Sequence, residues 1–171
     1  TPVCLPILRE LVVKDPDPGV RSVTAVSLGE YKDKASISKI ISLKKDPDIF
    51  PDTILDALTR MGDVQAGSAI LDYLNSTDHG VRLLTVEAFR VIQAKDQAPK
   101  ILKLAEVNKD SEKHKTFAMA LGVLEYKPSE DYLIGLVKKE EDGPTKAAAL
   151  LALGKVKSTK SSSILLEALV S

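Results

Sequence analysis

Few residues in this chain could do covalent or metal chemistry. The histidines are His79 and His114, and the one cysteine is Cys4. Zinc and iron centres need His, Cys and carboxylates in clusters, whereas His79 is followed by Gly80 and His114 by Lys115. A single thiol also excludes an intramolecular disulfide framework and zinc sites built on two or more thiolates. Cys4 lies in Cys4-Leu5-Pro6-Ile7-Leu8 without a flanking cation, so it reads as a small apolar residue rather than a reactive thiol. Phosphate cradles of the GxxxxGK[ST] or GxGxxG type and the Gly-x-Ser-x-Gly elbow are missing. The stretch from Lys157 to Ser163 reads as a polar turn with serine caps, and Glu130-Asp131 and Glu140-Glu141-Asp142 as solvated caps at helix ends. The expectation is a protein that is not an enzyme and carries no metal and no cofactor.

Charge narrows the partners. The chain of 171 residues balances 24 Lys+Arg against 24 Asp+Glu, with a pI near 6.7 and no Trp. A strongly basic nucleic-acid binder is excluded on that account. No run approaches the ~18 apolar residues of a membrane span, so no membrane insertion is expected. The chain opens at Thr1 without Met or a charged-then-apolar leader, which leads us to expect a piece of a longer soluble protein, its compartment unspecified.

The elements that position these side chains come from a repeat. Five segments superpose without gaps: DPGVRSVTAVSLG (17–29), FPDTILDALTRMG (50–62), DHGVRLLTVEAFR (78–90), DSEKHKTFAMALG (110–122) and DGPTKAAALLALG (142–154). Their penultimate residues are Leu28, Met61, Phe89, Leu121 and Leu153, and four of them close on Gly29, Gly62, Gly122 and Gly154. An N-capping Asp or a Pro/Gly turn, apolar residues at helical spacing and a terminal Gly predict a helix for each segment, here called B. Shorter amphipathic A helices are predicted around Ile40, Ile70, Ile101, Leu133 and Leu165. Leu5 to Val13 reads as a further A helix whose upstream partner is missing. With aromatics at only 4%, the core must be aliphatic, and a unit of about 30 residues can bury it only by stacking on its neighbours. The predicted fold class is all-α, an α-solenoid of about five and a half helical hairpins. It forms one domain over 1–171 with repeats at roughly 1–29, 30–62, 63–90, 91–122, 123–154 and a partial 155–171.

Asp17-Pro18-Gly19-Val20-Arg21 with Ala25, Leu28 and Gly29, and Asp78-His79-Gly80-Val81-Arg82 with Phe89, resemble HEAT repeats, specifically the short bacterial-type repeats found in phycobilisome bilin lyase subunits. The resemblance covers nearly the whole chain. It implies that Arg21, Arg82 and Lys146, with His114 in the same column, are ladder residues facing aspartates of inter-repeat turns. It also offers an alternative activity, an accessory or catalytic subunit of a pigment-attachment enzyme. The second repeat departs from the pattern with Phe50 and Ile54, and the third with Arg90 in place of the closing Gly. His-Glu pairs of the kind carried by helical-repeat metal oxygenases are missing.

With catalysis set aside, the extended concave face expected from stacking the B helices becomes the candidate surface. The core arc is expected on the columns of Val20, Thr24 and Leu28. The opposite arc then carries Val26; Leu55 and Thr59; Leu83, Leu84 and Glu87; Lys115 and Met119; and Leu151. That arc is more apolar than a solvated face and is expected to take a helix or extended segment of another protein, with Glu87 and Lys115 orienting it. Exposed terminal repeats would also allow self-association.

Overall fold

The structure is a computed structural model that describes residues 3–139 and 142–162. The predicted A helix around Leu165, the carboxylates Glu140 and Glu141, and most of the partial last repeat lie outside the described residues. Among the described residues ten α-helices follow one another: α1 (Leu5–Lys14), α2 (Pro18–Glu30), α3 (Ile37–Ser42), α4 (Pro51–Met61), α5 (Gly67–Ile70), α6 (His79–Ile92), α7 (Ala98–Val107), α8 (Ser111–Val123), α9 (Glu130–Lys139) and α10 (Gly143–Lys155). No strand occurs among the described residues. The fold is all-α, built of HEAT-like hairpins stacked as in an α-solenoid. It divides into two compact units, residues 1–92 and 93–171.

The B helices start where carboxylates can satisfy their free N–H groups. Asp17 accepts from the amides of Gly19 and Val20, Asp110 from Glu112, and Asp142 from Thr145. Asp78 accepts from the amide of Val81 at 3.2 Å and starts α6 in the same way. Each such bond removes an orphan donor and contributes about 1 kcal/mol. α4 begins instead at Phe50, without a side-chain cap but with Pro51 preset in its first turn.

In the first unit, α2, α4 and α6 pack side by side and α1 pairs with α2. The Leu5–Val13 stretch therefore forms a hairpin with the B helix that follows it. The A helices α3 and α5 are short and continue as 3-10 turns at Leu43–Lys45 and Leu71–Asn75. Leu28, Ile40, Ile54, Leu58, Ile70, Leu74 and Phe89 fill the core. Ion pairs then tie each repeat to the next: Arg9 Nε donates to Asp33 at 2.8 Å, Arg21 meets Asp46 at 2.7 Å and Lys34 meets Asp63 at 2.9 Å.

In the second unit α8 and α10 lie along each other, with α7 and α9 as their hairpin partners. Here small residues dominate the contact, with Ala118, Ala148, Ala149 and Ala152 buried beside Leu133 and Leu153. Glu130 is 6% exposed, contrary to its reading as a solvated cap. Its carboxylate accepts from the Ser158 hydroxyl and from the Lys160 amide, so the Lys157–Ser162 turn is fastened rather than offered to an anion.

The glycine column has a different purpose from the one expected. Gly29, Gly122 and Gly154 lie inside α2, α8 and α10. The left-handed residues that end the turns come three positions later, at Lys32 (φ 51), Gln93 (φ 55), Glu125 (φ 53) and Lys157 (φ 52). Only the second repeat turns on its glycine, Gly62 at φ 62. A Cβ on Gly29 would sit 2.7 Å from the Ala57 carbonyl oxygen, and one on Gly122 would sit 2.9 Å from Ala152 Cα. These two glycines let neighbouring B helices touch. The third repeat, with Arg90 in that column, makes its turn as three of the others do.

Candidate functional site

The predicted core arc is displaced by about one residue. Thr24, Ala25 and Leu28 are buried, but Val20 is 39% exposed in the first turn of α2. Arg21 takes the inward position, its Nη1 donating to the carbonyls of Asp15 and Pro16 at 2.7 and 3.1 Å while Nη2 meets Asp46. Arg82 is 2% exposed and donates to the carbonyls of Ser76 and Thr77 at 2.8 and 3.1 Å. Both guanidiniums hold turns together. His114 instead pairs its Nδ1 with the Tyr132 hydroxyl at 2.8 Å, and Lys146 is exposed without a salt bridge among the described residues. The turn that would face Lys146 from a following repeat lies outside the described residues.

Opposite that core, the predicted residues gather in two hollows, one in each unit. In the first unit Val26, Leu55, Thr59, Leu84 and Glu87 line a depression of ≈ 360 Å³ with Asp52, Thr53 and Asp56. Val26 and Thr53 also line an adjoining depression of ≈ 350 Å³ that reaches Val23 and Glu30. Leu55 departs from expectation, being 1% exposed and closing the floor rather than standing open to a partner. It is buried because α4 packs between α2 and α6. Thr59 donates its hydroxyl to the Leu55 carbonyl at 2.6 Å. Leu84 at 44% and Val23 at 68% exposure are the open apolar contacts. Leu83 is half-buried on α6 and outside these linings.

The rim of this hollow is acidic. Asp52, Asp56 and Glu87 stand around it, with Glu30 on the adjoining depression. Arg60 bridges Asp56, at 2.7 Å, to Glu30, and Arg90 pairs with Glu87 through Nε at 2.7 Å. The Arg90 hydrogen bond holds the Glu87 carboxyl below its ordinary range, so the rim keeps its negative charge at neutral pH.

In the second unit Lys115, Met119 and Leu151 line a depression of ≈ 380 Å³. All its lining residues belong to α8 and α10, with Ala147, Ala148 and Ala152 as a low floor, Pro144 at one end and Lys155 at the other. Leu151 is 71% exposed above it. The rim here is basic. Neither Lys115 nor Lys155 forms a salt bridge among the described residues, although Lys115 lies close enough to Asp142 to help hold that carboxyl down.

No group of three or more His, Cys, Asp or Glu among the described residues is placed to hold a metal ion. His79 Nδ1 lies 3.2 Å from Arg82, and the half-buried Cys4 thiol lies 3.7 Å from the Tyr31 hydroxyl. Burial pushes the Tyr73 phenol up to about 12, beneath the Lys44 ammonium at 4.6 Å from its ring centre. No described helix is long and apolar enough to cross a membrane. The opposed charges of the two rims were beyond the sequence reading. The i, i+4 acids of α4 and the lysines of α8 and α10 carried the signal, but only the pairing of helices brings them to one rim.

The class that this fold defines is the HEAT-like helical repeat. No known family and no curated protein matches the chain. Among solved structures, it resembles the complex of CpcE and CpcF of phycocyanin lyase from Nostoc sp. PCC7120. The TM-score is 0.68 at 19% identity, over 100% of this chain and 72% of that one.

Proposed function

We propose that the chain is a non-catalytic docking module that binds segments of another protein on the face of its B helices opposite the core. The observation that carries this is the second-unit hollow, where Leu151 is 71% exposed above ≈ 380 Å³ lined by alanines, a glycine and Met119. A surface aliphatic of that exposure costs little alone, but one set beside an apolar hollow forms a contiguous patch of the kind that interfaces use. The first-unit hollow, with Leu84 and Val23, repeats the arrangement with a different rim.

A second reading has its own support. The similar solved structure is a complex of two proteins of a phycocyanin lyase, and the likeness runs the length of this chain. On that reading the docked partner is a second subunit, and the pair attaches a pigment.

Both readings are tested by using the whole chain as bait beside Leu84→Asp and Leu151→Asp variants. Docking predicts protein retained by the wild type and lost from one or both variants while helicity is unchanged. A coloured or small-molecule ligand retained instead, with no protein lost, would replace docking by the pigment reading.

A further inference from the structure

Resting on the docking reading, we propose that the groove between α8 and α10 binds an amphipathic helix whose apolar stripe is flanked at both ends by acidic residues. Lys115 stands in the first turns of α8 and Lys155 in the last turn of α10, so the two ammoniums mark opposite ends of one apolar floor. In the repeat register Lys115 matches Ala147, and from Ala147 to Lys155 the helix rises about 12 Å. Two acidic residues seven or eight positions apart on a partner helix span the same length. Asp142 lies near enough to Lys115 to offset part of its charge, but the two form no ion pair, the Asp142 Oδ2 accepting instead from the Thr145 amide and hydroxyl at 2.8 and 2.6 Å.

The shape favours a helix over a small amphiphile. Only two helices wall the groove, leaving a third side open, whereas small-molecule sites enclose most of their ligand. A third helix laid along two others closes its own outer side. Ala147, Ala148 and Ala152 keep the floor low enough for large apolar side chains, and Met119 adapts to their shape. The first-unit hollow has the same apolar character, but its rim carries Asp52 beside the Arg60–Asp56 and Arg90–Glu87 pairs, so it lacks the two basic ends that an acidic-ended helix needs.

The test is a displayed library of helical peptides about 14 residues long, with Leu at i, i+3 and i+4 and all other positions random. It is selected in parallel on the whole wild-type chain and on a Lys115→Glu/Lys155→Glu chain. The expected outcome is enrichment of Asp and Glu beyond both ends of the stripe for the wild type, and of Lys and Arg for the double variant. The selected acidic peptide should lose about tenfold or more in affinity on the charge-reversed chain and should fail to bind Leu151→Asp. Neutral or basic ends on wild-type peptides overturn the proposal. Peptides that depend on Leu84 and ignore Leu151 also overturn it while leaving docking intact. Binding indifferent to both leucines, or no enrichment at all, sinks the docking reading too. Hexadecanoate binding that depends on Leu151 in the absence of enriched peptides makes the groove a lipid site instead.

Discussion

The two units reach the same hairpin architecture by different means. In the first, large aliphatic side chains fill the space between B helices, while guanidinium and ammonium groups reach aspartates of the next repeat. In the second, alanines and Gly122 bring α8 and α10 into contact, and the column that holds Arg21 and Arg82 holds His114 and Lys146. The repeat period therefore constrains helix order and little else. Core chemistry and rim charge are free to differ, and they differ in sign across the two hollows.

Graded substitution along that one column separates the units most clearly. Arg82→Ala, which strips donors from two turn carbonyls, should cost about 3 kcal/mol. His114→Ala should cost about 1 kcal/mol for one neutral hydrogen bond, and Lys146→Ala less than about 0.5 kcal/mol. Urea unfolding with hydrogen exchange read over each unit measures all three, and equal costs would contradict the difference in ladders.

The glycine contacts give the next largest effect. Gly29→Ala and Gly122→Ala should each destabilise their unit by about 1–3 kcal/mol, since the new methyl meets a neighbouring backbone. Gly135→Ala and Gly154→Ala meet nothing within 4 Å. Both should stabilise their helices by about 0.5–1 kcal/mol. A loss at Gly154 as large as at Gly29 would mean that close approach is not what this column provides.

Acid should weaken both units, through different carboxylates. Arg9, by hydrogen bond, holds the Asp33 carboxyl below its ordinary range, helped by Ser36. The Gln65 amide and Lys34 do the same for Asp63, and the Ser158 hydroxyl for Glu130. Because the folded values are depressed, the stability they contribute is complete above the unfolded value of about 4 and fades as pH falls through the folded value. Asp33→Asn should flatten the acid limb of denaturation in the first unit and leave that of the second unchanged. Lys32→Gly relieves a left-handed lysine and should gain a few tenths of a kcal/mol up to about 1 in thermal or urea unfolding.

Much of this architecture was legible because the signals are local. An Asp followed by twelve residues of helical apolar spacing defines a B helix wherever it occurs, and the residues opposite the core follow from 3.6 residues per turn. Val26, Thr59, Leu84, Glu87, Lys115, Met119 and Leu151 do line hollows. Val20 misled because the first turn of a helix lies beyond the neighbour that buries the next one. Leu55 misled because its burial depends on α4 being covered from both sides. The glycines resembled caps, since a Gly closing an apolar run usually is one, and nothing nearby in sequence reveals that Ala57 or Ala152 lies against them.

The left-handed residues also count residues. Lys32, Gln93, Glu125 and Lys157 each fall fifteen after their capping aspartates Asp17, Asp78, Asp110 and Asp142, and the second repeat shortens this to twelve, from Phe50 to Gly62. From each left-handed residue to the next B-helix start the interval drifts over 18, 16, 17 and 17 (32 to 50, 62 to 78, 93 to 110, 125 to 142). Four of the five repeats thus keep one length from cap to left-handed residue, whereas the connection to the next B helix varies by up to two residues. An inserted residue inside a B helix would rotate the rest of that helix by about 100° and turn a hollow away from its partner. The exposed residues 47–48 and 109 sit in the varying connections, where a spliced epitope or label would leave the hollow of its own unit in place.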